Sequence, residues 1–349
     1  MDKTVVYSGT IGTALWTIDE QGTLTIGENG KESVAIGAEV ENPWREYAQE
    51  ITRVVGTSPF VLKGSCYGWF ADLENVTSID LSGWDTSQVT NMGEMFARCS
   101  QLESLDLSTW NTSSVKDMWR MFEECRNLKI LKISTWDTSS VQDMWGMFLG
   151  CESLENLEIS SWNTSVLTSL GKMFDRCQSV ETLNLSRWDT SKVEEMFSTF
   201  NECDRLKTLK IENWNTSKVT DLSFAFTNCS KLEALDLSRW NTSSVTDMQR
   251  MFRGCTGLKT LDVSTWDTSH VTDMQEMFMQ CESLEALNLS GWTISQVTTM
   301  KEMFRGCKHL KVLDLFHGSV PSTTNRKMMF LDCPCLQDLA AFENPPLEA

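Results

Sequence analysis

The chain has 349 residues, with 48 acidic and 30 basic side chains and a net charge of −18 at neutral pH. That balance argues against nucleic acid or an anionic lipid surface as the main partner. The chain also has no apolar run of the about 18 residues that a membrane-spanning helix needs, and MDKTVVYSGT at its start has no signal-peptide core. An exported form would therefore carry its leader elsewhere.

In chain order, residues 1–57 read as a capping region. TALWTIDEQGTLTIG supplies two short strands around a turn at Asp19-Glu20-Gln21-Gly22, and ITRVV (51–55) supplies a further strand. From there to His317 one phrase recurs every 26 residues: W-[DN]-T-S-x-V-x-x-M-x-x-M-F-x-x-C-x-x-L-x-x-L-x-L-S. Trp84, Trp110, Trp136, Trp162, Trp188, Trp214, Trp240, Trp266 and Trp292 keep that interval, as do the Cys from Cys99 to Cys333. A fixed period of this length marks a solenoid, in which each coil buries its apolar side against its neighbours. The domains are thus 1–57 as cap, 58–317 as 26-residue repeats, and 318–349 as a decayed last repeat that still keeps Phe330, Cys333, Leu336 and Leu339 in register, with a short C-terminal cap.

Within a unit, L-x-x-L-x-L (Leu102, Leu105, Leu107) has the spacing of a short strand. Val115, Met118, Met121, Phe122 and Cys125 share one face of a helix or a short 3₁₀-rich turn, with Ser113 or the Asn two residues before it as cap. The fold class expected is an α/β solenoid: a right-handed leucine-rich-repeat arc of about ten to eleven coils. Parallel strands would line its concave face and short helices its convex face.

The ten Cys in register occupy a core position, the place of a small buried hydrophobe, and read as reduced thiols. Side chains stacked in parallel have poor geometry for disulfides. Cys333-Pro334-Cys335 lacks a partner pair for a metal, and the chain has three His in all. No metal and no cofactor is implied. Asn111, Asn163, Asn215 and Asn241 match the glycosylation pattern only because the repeat does. No phosphate-binding glycine loop, zinc-protease motif or nucleophile elbow occurs, and no residues break the repeat as a catalytic cluster, so the chain reads as no enzyme.

The repeat closely resembles the BspA-like leucine-rich repeat family, the bacterial surface-protein 26-residue repeat. M-F-x-x-C-x-x-L also resembles the core of the Treponema-type repeats, and TALWTIDEQGTLTIG with PWREY…ITRVV resembles the leader ahead of such repeats. That resemblance covers nearly the whole chain. It implies an extracellular or cell-surface protein that acts in adhesion, with a host or neighbouring-cell protein as partner and a glycan as a second option. Two alternatives stand beside it. One is a spacer that projects another domain from the cell. The other is a regular-surface binder that would need the repeated Thr86, Thr112 and Thr138 exposed in a flat file.

Variable outward positions are the candidate contacts in a solenoid. On the strand face these are Lys129, Lys132, Glu155, Glu158, Lys207, Lys210, Asp236 and Asp262, although cross-strand pairing of Lys with acidic neighbours explains many of the charges equally well. The Trp at the corner read as packed core. Trp119 and Trp145 fill a position held elsewhere by Gly, Ser, Gln or Lys, so they form a second candidate patch on the outer side.

Overall fold

The structure, a computed structural model, describes residues 4–27, 33–37, 42–57, 59–316 and 320–336. Leu339 and the expected C-terminal cap past residue 336 lie outside these residues, as does His317. The chain divides into two compact units, residues 1–180 and 181–349.

The first unit opens with β1 (Val5–Ile11), β2 (Ala14–Asp19) and β3 (Thr23–Ile26), which form an antiparallel meander. The expected turn is present: Asp19 Oδ1 accepts the N–H groups of Gln21 and Thr23 at 3.0 and 2.8 Å. Next come β4 (Ser33–Gly37), β5 (Arg53–Gly56), β6 (Phe60–Ser65), β7 (Ser78–Asp80) and β8 (Trp84–Asn91). β5 adds to β3 in parallel and β7 to β5, so the meander passes its hydrogen-bonding edge directly to the first coils. β4, β6 and β8 form a second parallel sheet. β9 (Ser104–Asp106) and β10 (Ile130–Lys132) then pair in register, Leu105 opposite Leu131.

The second unit repeats the pattern. β11 (Thr182–Asn184) pairs with β12 (Thr208–Lys210), β13 (Ala234–Leu235) with β14 (Thr260–Leu261), and β15 (Ala286–Asn288) with β16 (Val312–Asp314), all parallel. In each unit the L-x-x-L-x-L phrase is the strand segment. Its central Leu points into the core between two exposed neighbours.

The expected helix does not form. Among the described residues the one helical element is a 3₁₀ turn, Arg45–Tyr47. Residues 92–99 form instead a run of three-residue turns: Met95, Ala97 and Cys99 donate their N–H groups back to the carbonyls of Met92, Glu94 and Phe96. The intervening N–H groups of Met92, Glu94, Phe96 and Arg98 donate forward to Asp117, Trp119, Met121 and Glu123 of the next coil, at 2.6–2.9 Å. A three-residue turn period buries the same Met, Phe and Cys as a helix would, so apolar spacing cannot tell the two apart. An α-helix, however, would turn every N–H along its own axis and leave none for the neighbouring coil. Asn111 accordingly caps no helix: its Oδ1 accepts the N–H and hydroxyl of Ser113 in a local turn.

The turn run needs two left-handed residues per coil. Among them are Glu94 and Arg98, Arg120 and Glu124, Gly146 and Gly150, and in the second unit Arg250 and Gly254, Glu302 and Gly306. Non-glycine residues at these places carry a strain of about 1–2 kcal/mol each, which the forward hydrogen bonds hold in place.

The core is built of ladders. Phe96, Phe122 and Phe148 stack at 5.7–5.8 Å within 3° of parallel. Trp136 and Trp162 stack at 6.2 Å, and Trp136 donates its indole N–H to the Leu107 carbonyl. The Trp corner is therefore core, as its fixed position implied. Thr86, Thr112 and Thr138 are buried, and each hydroxyl donates to a carbonyl of the next coil. That burial removes the regular-surface alternative, which needed these Thr exposed. The in-register Cys are buried and form no disulfide among the described residues, and Cys125, Cys151 and Cys229 each donate a thiol to a Phe carbonyl. Burial pushes the Cys125 and Cys255 thiols up to about 12.

Two expectations follow. Gly306→Ala should destabilise by about 1 kcal/mol through backbone strain alone, because its φ is +76° and the nearest atom to an added Cβ is Gln280 Cγ at 3.4 Å. Gly254→Ala should cost more, since its Cβ would meet Asn228 Oδ1, and the extra cost should vanish when Gly254→Ala is made on an Asn228→Ala background, whose own cost at a positive φ is measured alone. Denaturant melts measure both, and equal losses at both glycines and on both backgrounds would refute the account. The buried thiols should be inert to a thiol reagent in the folded protein, and all twelve should react after denaturation without reductant. Cys229→Ser should cost about 1–3 kcal/mol for burying a hydroxyl.

Candidate binding surfaces

The strand face carries three exposed rows. On the first, Glu and Lys alternate, and the structure joins them across neighbouring coils: Lys129 to Glu103 at 3.2 Å, Lys207 to Glu181 at 2.8 Å, Lys259 to Glu233 at 2.7 Å and Lys311 to Glu285 at 3.2 Å. On the third row Lys132 meets Asp106 at 2.8 Å and holds its carboxyl down to about 2. These side chains are half exposed or more, so each pair contributes only tenths of a kcal/mol. Such weakly held pairs can be exchanged for a partner's groups at little cost.

Of the remaining candidates, Glu155 and Glu158 of the first unit and Lys210 of the second are exposed and carry no ion pair among the described residues. Asp236 and Asp262 lie on neighbouring coils, each with Oδ1 taken by the N–H and hydroxyl of the Ser two residues on. The structure thus sorts the eight strand-face candidates into three Lys already paired, three unpaired ends and a like-charged Asp pair. Between the charged rows runs the uncharged middle row, with Ile130 and Val312 more than half exposed. At the start of the face a groove of about 380 Å³ is lined by Ser78, Asp80, Ser104, Asp106, Ser108 and Thr109.

Trp119 and Trp145 do fall together, on the outer turn run of the first unit, and both are half-buried. Arg120 lies between them, its guanidinium carbon 5.0 Å from one ring and 4.6 Å from the other. Lys172 lies 5.6 Å from the Trp145 ring, and Tyr67 stacks on Trp119 at 6.0 Å. Sequence reading missed Tyr67 because its coil precedes the first Trp-bearing unit, although it stands two repeat lengths before Trp119. Tyr67, Trp119, Arg120, Trp145 and Lys172 form one alternating ladder of rings and cations. The Trp119 and Trp145 faces a sugar would stack on are occupied by neighbours, so these two rings present edges to solvent. Gly93 gives the room: a Cβ there would lie 2.6 Å from the Trp119 indole nitrogen.

Beside the turn run a second column stacks polar side chains: the half-buried Asn91, Asp117 and Asp143 and the buried Ser169 in the first unit, and in the second the exposed Glu195, the half-buried Asp221, Asp247, Asp273 and Thr299, and the exposed Asn325. Asp247 Oδ1 accepts the Gln249 N–H at 2.8 Å. Burial, then Asp221 and Asp273 on either side, raise its pKa. Asp117 and Asp273 are raised by burial as well. No group of His, Cys, Asp and Glu among the described residues has the arrangement to hold a metal ion.

The family model described as "Mycoplasma protein of unknown function, DUF285" matches residues 65–182, 125–233 and 220–342. The chain belongs to this family. The match covers the coils themselves, and with the coil structure it bears out the leucine-rich-repeat surface-protein family to which the sequence was likened. Among solved structures the DUF285 chain is similar to a leucine-rich repeat protein from Eubacterium ventriosum, with 15% identity, 95% of each chain covered and a TM-score of 0.42. It is similar to a leucine-rich cell surface protein from Faecalibacterium prausnitzii, with 16% identity, 90% of this chain and 96% of that one covered and a TM-score of 0.30. A third is the pneumococcal vaccine antigen PcpA, with 14% identity, 90% and 86% covered and a TM-score of 0.31. Likeness this distant carries no ligand across. No curated protein matches the sequence. No helix among the described residues is long and apolar enough to cross a membrane.

The acidic column generates a pH expectation. Because the folded protein raises the Asp247 pKa, its contribution is most favourable below the unfolded value of about 3.9 and is lost as pH rises through the folded value. At neutral pH the charged carboxylate therefore destabilises. Asp247→Asn keeps the hydrogen bond to Gln249 and copies the residue found in this column at Asn91 and Asn325. It should raise stability at pH 7 by about 0.5 kcal/mol, and the gain should shrink as pH falls toward 4. Thermal melts across that range decide it; a variant less stable than wild type at pH 7 would show the column is not strained.

Proposed function

We propose that this chain is a non-catalytic binding module displayed outside the cell or on its surface. It docks a host or neighbouring-cell protein through the strand face. The observation that carries the reading is the make-up of that face: an uncharged middle row between rows of weakly held, exposed charges. A flat partner surface can bury Ile130 or Val312 while it exchanges its own charges for the Lys–Glu pairs, whose desolvation is modest because they start exposed. In the first unit the face takes its specificity from the unpaired Glu155 and Glu158, and in the second from Lys210 and the adjacent Asp236 and Asp262. The resemblance to surface repeat proteins supports adhesion as the biological use. Trp119 and Trp145 serve as a secondary contact through their edges and Arg120.

Binding through such a face should weaken as salt rises, since exposed charges are screened over about 8–10 Å. The test is a panel of matrix proteins and neutral glycans probed with the wild-type chain and two variants. One variant reverses Lys129, Lys132, Lys207 and Lys210; the other is Trp119→Ala/Trp145→Ala. The first should weaken the captured protein at least about fivefold and the second less. A protein ligand that neither variant weakens would refute the strand-face reading.

A further inference from the structure

The first strand row of the second unit has a symmetry that a single chain leaves unused. In chain order it reads Glu181, Lys207, Glu233, Lys259, Glu285 and Lys311, one residue per coil with no break in the alternation. In the first unit the same row reads Thr77, Glu103, Lys129 and Glu155, too short for such a run. Each Lys of the second unit turns back to the Glu one coil before it, at 2.7–3.2 Å. The six side chains remain 53–68% exposed, so every charge keeps an open side.

An alternating row with an even number of members is its own complement when reversed. A second copy turned about a two-fold axis along the strand direction presents the row backwards. Glu181 then faces the partner's Lys311, Lys207 faces the partner's Glu285, and Glu233 faces the partner's Lys259. The interface is isologous, so each of these contacts occurs twice and no like charges meet along the row. The middle row permits the approach: Thr182, Thr208, Ala234, Thr260, Ala286 and Val312 are exposed, short and uncharged. The face also bends little within this unit. Its turn run is hydrogen-bonded from coil to coil, and the Phe rings on that side repeat at 5.5–5.6 Å. Paired strands repeat at ~4.8 Å, a difference that long Glu and Lys side chains bridge. The third row opposes the contact at its centre, where Asp236 and Asp262 meet the partner's Asp262 and Asp236. The Ser two residues on hold both carboxyls charged, and Lys210, one coil away, offsets them only in part.

We propose that the partner of the second unit's strand face is another copy of this chain, docked antiparallel about that two-fold axis. This names the partner of the strand face proposed above and rests on that reading. The charge complementarity carries it: a row that matches its own reverse at every position needs no second kind of protein. Each copy has a net charge of −18, but charges beyond about 8 Å are screened at physiological ionic strength, so the facing rows outweigh the distant repulsion. Six coils span roughly 25–30 Å, and at three residues wide the overlap falls well below the roughly 800 Å² per partner of a standard interface. One contact is therefore weak. Two facing surfaces that each display many copies add such contacts together, which makes the pairing one between cells and leaves the chain in dilute solution a monomer.

The experiment couples the full chain to beads of two colours and scores mixed clusters at physiological salt. One variant, Lys207→Glu/Lys259→Glu/Lys311→Glu, makes the row wholly acidic; another, Glu181→Lys/Glu233→Lys/Glu285→Lys, makes it wholly basic. A third exchanges all six residues, which reverses every charge and keeps both the alternation and the net charge. Wild-type beads should cluster with one another. Each one-sign variant should need at least about tenfold more coupled protein to cluster with itself. The basic variant carries less net charge than wild type, so repulsion between whole chains would predict the opposite for it. Acidic and basic beads mixed together should cluster again, and the sixfold exchange should stay within about threefold of wild type. Asp236→Asn/Asp262→Asn should cluster at lower coupling than wild type. Thermal melts check the folds; if a one-sign variant melts early, the sixfold exchange and the Asp variant decide. Wild-type beads that stay dispersed, folded one-sign variants that cluster like wild type, or a folded sixfold exchange that stays dispersed would each overturn the docking. Capture of a matrix protein by a chain that does not cluster with itself would remove the partner named here and leave the strand-face reading standing.

Discussion

The forward hydrogen bonds of the turn run are the constraint on which the rest of each unit depends. In residues 92–99 every second N–H closes a turn within its own coil and every other one reaches the next coil. A coil without a neighbour would leave these donors unpaired, and each buried orphan costs about 1–3 kcal/mol. Cooperation between coils is therefore written into the backbone as well as into the apolar side chains. The same pattern forces the left-handed pair in every coil. It keeps equivalent residues in register, and from that register follow the Phe, Trp and thiol ladders.

Stacking identical units has an electrostatic cost, because a charge at one position faces its copy one coil away. The protein meets this in three ways. On the first strand row Glu and Lys alternate from coil to coil and pair directly. At the residue after the Trp, Asp and Asn alternate over much of the array: Asp85, Asn111, Asp137, Asn163, Asp189, Asn215. Beside the turn run the repulsion is tolerated, and burial with like charge raises the pKa of Asp247. The compensation is local, since the chain keeps a net charge of −18, and the strand-face groups left out of it mark places open to a partner. Glu155, Glu158 and Lys210 are such places on the strand face.

The aromatic strip illustrates how exposure and availability differ. Trp119 and Trp145 stand out of the repeat, as a recognition site would, yet Tyr67, Arg120 and Lys172 fill the spaces against their faces. Arg120 is further tied to Glu94 and Glu123 at 3.7 Å. Trp119 and Trp145 are edge-on elements that can add to a contact but have no open face for a sugar ring.

The sequence by itself determined the period, the identity of the buried positions, the strand phrase and the cross-coil partners of the strand-face lysines. All of these follow from a 26-residue repeat once neighbouring coils are assumed to stack in register. It could not tell helix from turn run, because Val115, Met118, Met121, Phe122 and Cys125 share one face in either conformation. The choice rests on where the backbone N–H groups go, and that is settled only when a neighbouring coil offers its carbonyls. The inward turn of Thr86, Thr112 and Thr138 was decided in the same way, since their acceptors belong to the next coil. So was the closing of the Trp119 and Trp145 faces, which needed Tyr67 from two coils away. What depended on residue type and spacing was legible in the chain; what depended on which polar group meets which across coils was decided by the stack.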